Sequence, residues 1–207
     1  MAGYSEEFKR IESTFKKAAA ALRDAGIPFA LGGSLAAWAR GGPETRKDLD
    51  FMIREKDAER ALSTLVQTGM RPERPPEGWL LKAWDGDVLV DLIYRAVDLA
   101  ITDEVFERSE EMSVLSLNMR VLSLEDVISS KLLALNEHDL DFEPLLRIVR
   151  AVREQVEWHE VRTRTSSSPY ARAFFGLLAE LDLDVDGAHE ATTQARSKIR
   201  VLPPTAG

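Results

Sequence analysis

Apolar and polar positions recur along the chain with two different periods. Residues 5–25 carry apolar side chains at helical spacing, with acidic residues in the first turn and Gly26 at the end, which predicts an amphipathic helix. Residues 27–33 (IPFALGG) predict a short buried strand ending in glycines, and residues 34–40 predict a short helix that begins at Ser34. The following GGPETRK predicts a loop, because two glycines and a proline interrupt any regular period.

The same alternation continues up to about residue 122. The segment DLDFMIRE predicts a strand, and residues 57–69 (DAERALSTLVQTG) predict a helix with its alanines and leucines inward. After a proline-rich turn, GWLLKAW and DVLVDLIY predict two strands joined through Asp85-Gly86-Asp87, because an Asp-Gly step favours a tight hairpin. One more short strand is predicted within MSVLSLNMRVLS.

From residue 123 onward the pattern becomes helical, with helices predicted over residues 123–136, 143–157 and 170–181. This order predicts an α/β (α+β) fold in which a small mixed β-sheet core is flanked by helices and followed by a helical C-terminal part. We expect residues 1–122 to form the core, residues 123–200 the helical part and residues 201–207 a flexible tail.

Composition narrows the class of protein. The 207 residues are 44% hydrophobic, enough for one good-sized core or a core with a smaller appendage. No apolar run is long enough to cross a bilayer and the first ten residues hold no apolar signal region, so we expect a soluble cytoplasmic protein without a membrane partner. The net charge of -8 argues against broad electrostatic capture of nucleic acid.

The inventory of metal ligands favours oxygen atoms. The chain has no cysteine, which excludes disulfides, thiolate metal sites and cysteine nucleophiles. Its three histidines, His138, His159 and His189, are far apart in sequence, and polar surroundings predict surface positions for the first two. Any metal would therefore be held mainly by carboxylates, which suits Mg²⁺ or Mn²⁺.

The tetrapeptide Asp-Leu-Asp-Phe occurs twice, at residues 48–51 and at residues 139–142. In the first copy, strand alternation places Asp48 and Asp50 on one face about 7 Å apart, where two carboxylates repel each other without a cation. A third carboxylate, Asp91, lies inside the apolar strand VLVDLIY, where an unpaired charge is costly. A metal shared by the three carboxylates would explain all of them.

A glycine-rich segment precedes this acidic pair. Gly32 and Gly33 allow the backbone to approach a ligand closely, and a helix beginning at Ser34 would direct free N–H groups at an anion. The order of GGS, a helix, DLD on a strand and a later strand aspartate resembles the nucleotidyltransferase superfamily, which includes DNA polymerase beta and the antibiotic nucleotidyltransferases. The resemblance covers roughly residues 25–95.

The resemblance implies a role for each of these residues. Asp48, Asp50 and Asp91 would hold two Mg²⁺ (or Mn²⁺) ions, and Asp91 could also take the proton of the acceptor hydroxyl. Gly32, Gly33 and Ser34 would bind the triphosphate of a nucleoside triphosphate such as ATP. The alternative is purely structural: Asp48 caps a turn, Asp50 faces solvent and Asp91 pairs with Lys82.

Lys131 falls inside the apolar stripe of the helix predicted over residues 123–136. Either its stem packs on the core while its ammonium reaches water, or it reaches the triphosphate. The second arrangement resembles the stand-alone toxin nucleotidyltransferases of toxin-antitoxin systems, which implies an antitoxin as partner. The arginine expected over residues 136–138 for that branch is absent.

Two other acidic stretches are better explained without a metal. A proline follows the second DLDF, so Asp141 is predicted to cap a helix that has Glu143 in its first turn. The toxin resemblance leaves a second role open, in which Asp139 or Asp141 orients Lys131. The stretch DLDVDGAHEATT begins like a calcium loop, but its twelfth position is Thr193 and a solvated loop is favoured.

Six arginines of the helical half form either solvated faces, which we favour, or an acceptor groove: Arg147, Arg150, Arg153, Arg162, Arg164 and Arg172.

The predicted activity is metal-dependent transfer of a nucleoside monophosphate from a triphosphate to an acceptor hydroxyl. An acidic surface suits a cationic small molecule such as an aminoglycoside, whereas RNA or a protein is the toxin-like acceptor. The alternative class is a non-catalytic nucleotide-binding or interaction module of the same fold, such as an antitoxin-side partner. The expected protein partner is a cognate antitoxin or a second copy of the chain in a homodimer.

Overall fold

The computed structural model describes residues 5–44, 48–96, 99–183 and 185 of the chain. They divide into two compact units. The first comprises the chain up to Trp38 together with Glu44–Ser123, and the second comprises Ala39–Pro43 together with the chain from Leu124 onward. The segment Ala39–Pro43 belongs to the second unit although it precedes most of the first in sequence, a division that the hydrophobic pattern did not predict.

The first unit is built on a seven-stranded sheet with the strand order β3-β4-β5-β2-β1-β9-β8. Its helices are α1 (Glu6–Asp24), α2 (Gly33–Ala39), α3 (Ala58–Gln67) and α4 (Asp103–Arg108). Its strands are β1 (Phe29–Leu31), β2 (Leu49–Ile53), β3 (Arg71–Glu73), β4 (Leu80–Asp85), β5 (Val88–Ile93), β8 (Glu110–Val114) and β9 (Leu117–Val121), and β6 (Arg95–Ala96) and β7 (Leu99–Ala100) form a separate pair.

The sheet is mixed. Strand β2 runs parallel to β5 and strand β1 runs parallel to β9, whereas the other neighbours are antiparallel. A mixed sheet with helices, followed by a helical part, confirms the predicted α/β (α+β) class.

The two faces of the sheet differ in polarity because side chains alternate along each strand. In β2, Leu49, Phe51 and Ile53 are fully buried, and the Phe51 ring stacks on Phe15 of α1 with centroids 6.1 Å apart. Helices α1 and α3 contact the strands β4 and β5. Asp50 lies between these apolar residues in sequence and therefore projects from the opposite face, which is where the polar chemistry of the sheet lies.

Several predicted elements agree with the structure and several differ. The helix over residues 5–25 is α1, capped by the Ser5 hydroxyl, which accepts a hydrogen bond from the Phe8 amide (3.1 Å). The Asp85-Gly86-Asp87 step forms the expected tight hairpin, with Asp85 and Val88 as the last paired residues. The short helix begins at Gly33, one residue before the predicted start.

The largest difference lies in MSVLSLNMRVLS, where one strand was predicted and the structure has a hairpin of β8 and β9. Leu115 and Ser116 form its two-residue turn with φ values of 50° and 70°. Hairpin turns of this kind need positive φ at both central residues, and they usually carry Asn and Gly there. Because Leu and Ser are unusual in this conformation, the local sequence did not predict the turn.

The second unit is helical, with α5 (Leu124–Ala134), α6 (Glu143–Val152), α7 (Trp158–Arg164) and α8 (Pro169–Glu180). The helix predicted over residues 143–157 ends at Val152 and continues as a 3-10 turn over Arg153–Gln155; α7 was not predicted. Within this unit Asp126 has a fully buried side chain and pairs with Arg164, whose Nη1 lies 2.8 Å from Asp126 Oδ1. Among the described residues, no helix combines the length and the apolar character needed to span a bilayer.

Candidate active site

The glycine segment and the first acidic pair meet at one end of β1 and β2. The Gly32 amide donates a hydrogen bond to the Asp50 carbonyl (2.8 Å), which ties the two segments together. Gly33 has a φ of +57°, and a Cβ built on it would overlap Asp50 Oδ2. The carboxylate of Asp50 therefore lies directly against the backbone at the start of α2, and only glycine fits at position 33.

Asp50 and Asp91 are neighbours across the sheet. They are paired residues of the parallel strands β2 and β5, so their Cα atoms lie about 4.8 Å apart and their side chains share one face. Asp50 is half-buried, and Asp91 is only 8% exposed. Asp48 immediately precedes β2, is also half-buried, and is close enough for its charge to act on Asp91.

The environment of Asp91 disfavours its charged form. Burial raises the pKa of Asp91 to about 6; the Lys82 ammonium opposes this rise, and the negative charges of Asp48 and Glu73 add to it. A carboxyl with a pKa near 6 is a better proton acceptor at neutral pH than an ordinary aspartate.

Lys82 of β4 is the partner of Asp91. Its Nζ lies 3.4 Å from Asp91 Oδ1, and the two residues are paired across β4 and β5. The buried Oδ1 has no hydrogen-bond partner, so this contact is an ion pair without hydrogen-bond geometry. The pairing of Asp91 with Lys82 was part of the structural alternative, and the structure shows it together with the adjacency of Asp91 and Asp50.

The chemistry of the donors fits a hard divalent cation only in part. Carboxylate oxygens are the ligands that Mg²⁺ and Mn²⁺ prefer, and Asp91 Oδ1 accepts no hydrogen bond that a cation would have to displace. Within residues 5–44, 48–96, 99–183 and 185, however, no group of three or more His, Cys, Asp or Glu side chains is close enough to hold a metal ion. The assignment of Asp48, Asp50 and Asp91 as metal ligands stays a prediction.

The other predicted site residues have the following positions. Ser34 is the second residue of α2 and is half-buried. Lys131 lies in α5 of the second unit and is half-buried, so its role toward a triphosphate stays a prediction.

The second DLDF has a local structural role. Asp141 Oδ1 accepts a hydrogen bond from the Glu143 amide (3.0 Å) at the start of α6, but the N-cap is Phe142, one residue after the predicted position. The backbone of Asp139 forms an isolated bridge with Asn136. His138 and His159 are exposed, as expected, whereas most of the calcium-like stretch at residues 182–193 lies outside the described residues.

The arginines of the helical half differ in exposure and in their contacts. Arg147 and Arg150 are exposed, as expected for solvated faces, and Arg172 donates to the Ser166 carbonyl (2.7 Å). Arg164 instead pairs with the buried Asp126, and Arg162 stacks over the Phe175 ring at 4.1 Å from its centroid. These two stabilise the helical unit itself.

Two cavities of the first unit differ in their relation to the carboxylates. A small one, of about 80 Å³, is lined by Asp48 together with residues of α1 and the β4–β5 hairpin, including the ion pair of Arg10 and Asp87 (2.8 Å). A larger one, of about 620 Å³, lies at the opposite end of β1, where Phe29, Arg54 and Phe106 line it. None of the predicted site residues lines the larger cavity.

A row of charged side chains crosses four strands of the sheet, and the sequence analysis did not predict it. Glu73, Lys82, Asp91 and Asp50 are successive partners across β3, β4, β5 and β2, so the four side chains form a row on one face. Glu73 Oε2 also accepts a hydrogen bond from Trp84 Nε1 (2.7 Å). The sequence analysis placed β3 in a proline-rich turn and therefore did not predict this row. The only sequence feature that pointed to it was Lys82, a charged residue among the apolar residues of β4.

The fold is similar to those of several solved structures. A crystal structure of ANT(2")-Ia in complex with adenylyl-2"-tobramycin matches with a TM-score of 0.59 and 19% identity, over 80% of this chain and 99% of that chain. A solution structure of the same antibiotic-resistance factor matches with a TM-score of 0.61 and 19% identity, over 84% and 97%. The crystal structure of JHP933 from Helicobacter pylori matches with a TM-score of 0.52 and 17% identity, over 92% and 91%.

Sequence comparison identifies the family directly. No curated protein matches the sequence significantly. Residues 12–172, which include every predicted site residue, match the model of a family described as nucleotidyl transferase of unknown function (DUF2204). The predicted superfamily and enzyme class are thereby confirmed at the level of the family. The chain belongs to this nucleotidyl transferase family.

Proposed function

We propose that the protein transfers a nucleoside monophosphate from a nucleoside triphosphate to an acceptor hydroxyl, with a divalent cation held by Asp48, Asp50 and Asp91. The observation that supports it is the adjacency of Asp50 and Asp91 on parallel strands, with Asp50 packed against the backbone of Gly33. Two carboxylates that share one face at this spacing repel each other, and a cation would relieve the repulsion.

The triphosphate would bind at the glycine segment. The backbone N–H of Gly33 and the hydroxyl of Ser34 would hold its β- or γ-phosphate. Since α2 has only seven residues, this binding would rest on local N–H groups more than on a helix dipole. Lys131 would add a positive charge to the same phosphates.

The chemistry requires in-line attack of the acceptor oxygen on the α-phosphorus. A bond forms between that oxygen and phosphorus, the bond from phosphorus to the bridging oxygen of the β-phosphate breaks, and pyrophosphate leaves. Asp91 would accept the hydroxyl proton. When bound, the Mg²⁺ would neutralise phosphate charge and lower the pKa of the acceptor hydroxyl.

A cationic small molecule is the acceptor that we favour. The chain carries a net charge of -8, which attracts polyamines and aminoglycosides more than RNA. A similar fold has been solved with adenylyl-2"-tobramycin, the adenylylated form of an aminoglycoside. RNA or protein as acceptor, with an antitoxin as partner, is the competing outcome.

The test is incubation with each labelled triphosphate and Mg²⁺, in the presence of an aminoglycoside panel, total RNA or a cell protein extract. We expect label on an aminoglycoside, lost in Asp48→Ala and Asp50→Ala and kept in Asp141→Ala, the matched control from the second DLDF. Label on RNA or protein would overturn the small-molecule assignment. No transfer to any acceptor, together with no Mg²⁺-dependent rise in thermal stability with any triphosphate, would favour a non-catalytic module.

A further inference from the structure

The charge row across the sheet alternates in sign until it reaches the candidate site. Strand β3 contributes Glu73, β4 contributes Lys82, and β5 and β2 contribute Asp91 and Asp50. Neighbouring strands lie about 4.8 Å apart, so each charge has its opposite next to it except at the last step, where two carboxylates meet. Within this row, the Lys82 ammonium therefore stands beside Asp91, which in turn neighbours Asp50.

Lys82 is held where it can compete with a cation. Its side chain is 24% exposed, and that of Asp91 is 11% exposed, so the attraction between them is only partly screened by water. Its Nζ lies 3.4 Å from Asp91 Oδ1, the oxygen that no hydrogen bond fixes. An oxygen held by charge alone can be given up to a stronger cation without breaking a hydrogen bond.

This pairing also accounts for the spacing of the acids. No compact three-carboxylate group exists among the described residues, although Asp50 and Asp91 are paired in register and the charge of Asp48 acts on Asp91. An Asp91 side chain drawn toward β4 by Lys82 is a sufficient reason for that separation.

We propose that Lys82 is a positioning residue, whose ammonium serves as the counter-ion of Asp91 in the metal-free protein and releases Asp91 Oδ1 when the divalent cation binds. The proposal rests on the proposed function, since it needs a cation at Asp91. It assigns Lys82 to the acceptor side of the site, away from the glycine segment. Removing Lys82 should therefore affect cation binding and turnover but leave triphosphate binding largely unchanged.

The experiment measures the Mn²⁺ concentration that half-saturates the rise in thermal stability, with a non-hydrolysable triphosphate present. We expect Lys82→Met to lower this concentration about tenfold, because a unit positive charge that repels the divalent ion is removed from beside Asp91. Lys82→Gln, which keeps a hydrogen-bond donor without the charge, should behave similarly and serves if Lys82→Met fails to fold. Lys82→Arg, which keeps the charge, should stay within about twofold of wild type.

Turnover separates positioning from a merely structural role. At saturating triphosphate, we expect the Mn²⁺ concentration that gives half of the maximal rate to fall about tenfold in Lys82→Met, with the KM for the triphosphate within about twofold, and to stay within about twofold of wild type in Lys82→Arg. The matched control is Lys16→Met, because Lys16 forms an ion pair with Glu12 (2.6 Å) on the surface of α1 and should change neither quantity.

The outcomes distinguish the two proposals. A wild-type protein whose stability does not respond to the cation overturns the metal-dependent function and this inference with it. A wild-type response that is unchanged or weakened in Lys82→Met and Lys82→Gln overturns the inference alone. The inference alone also fails if the half-saturating Mn²⁺ concentration of the stability rise falls in Lys82→Met while that of the rate does not.

Discussion

Gly33 and Asp50 are in such close contact that a single added methyl group at Gly33 would occupy the position of the Asp50 carboxylate. The contact joins the start of α2 to the beginning of β2, and it places an acid next to backbone N–H groups. The sequence analysis gave the two residues separate roles: Gly33 in phosphate binding and Asp50 in metal binding. In the structure neither residue can change without affecting the other.

Gly33→Ala should therefore disable the site more than it destabilises the protein. The new Cβ displaces Asp50, and we expect transfer activity to fall at least a hundredfold. Positive φ should cost about 1–2 kcal/mol of unfolding free energy. Gly26→Ala is the matched control, because Gly26 has a φ of +64° and nothing within 4 Å of a built Cβ. Activity is measured by transfer of a labelled nucleotide. If both variants lose the same activity, the contact between Gly33 and Asp50 is not what the site depends on.

Asp91→Asn should stabilise the metal-free protein at alkaline pH. The pKa of Asp91 is raised from 3.8 to about 6, so the folded state binds more protons than the unfolded state between about pH 4 and pH 6. The free energy of unfolding of the wild type therefore falls as the pH rises through that window, by up to about 3 kcal/mol. The asparagine variant avoids this loss.

Urea denaturation with a chelator at pH 4.5 and pH 8 measures this effect. We expect Asp91→Asn to exceed the wild type by about 1–3 kcal/mol at pH 8 and by much less at pH 4.5. Asp24→Asn, a change at an exposed residue of α1, is the control. A variant that is less stable than the wild type at pH 8 would contradict the expected cost of the buried charge.

The two copies of DLDF should respond oppositely to the same substitution. Asp50→Asn should abolish nucleotide transfer, since Asp50 lies against Gly33 and beside Asp91. Asp141→Asn should preserve transfer and cost at most about 1 kcal/mol, because Asp141 only accepts a hydrogen bond from the Glu143 amide. Transfer assays and thermal unfolding of both variants check this, and loss of transfer in Asp141→Asn would give the second copy a catalytic role.

Breaking the buried ion pair of the helical unit should be costly. Arg164→Met leaves Asp126 charged, with a fully buried side chain, and we expect the free energy of unfolding to fall by about 3 kcal/mol. Arg147→Met removes an exposed arginine that lies 3.7 Å from Glu143, and should cost less than about 0.5 kcal/mol. Urea denaturation of the two variants gives the comparison, and similar values would show that Asp126 does not depend on Arg164.

Lys131→Ala tests the proposed contribution of the helical unit to triphosphate binding. We expect the KM for the triphosphate to rise about tenfold, the effect of losing one charge-assisted contact. Lys16→Ala, on the surface of α1, should leave it unchanged. A KM equal to that of the wild type would assign Lys131 to packing alone.

Local interactions explain why much of the fold could be predicted. The apolar period of α1, the Ser5 cap and the Asp85-Gly86-Asp87 hairpin depend on residues within a few positions of each other. The hydrogen bond that Asp141 accepts from the Glu143 amide is equally local. Where the local signal is weak, as in the Leu115-Ser116 turn, the prediction was wrong, because distant packing of β9 against β1 sets the chain's path there.

The sequence by itself determined the class of fold and the candidate residues, since residue type and spacing limit both the periodic structure and the available chemistry. Only the tertiary structure decided which residues meet. The pairing of Asp50 with Asp91 joins positions 41 residues apart, and it depends on the register of two parallel strands, which no local pattern specifies. The same register sets Lys82 beside Asp91, because strand order and pairing follow from burying the apolar face of the whole sheet.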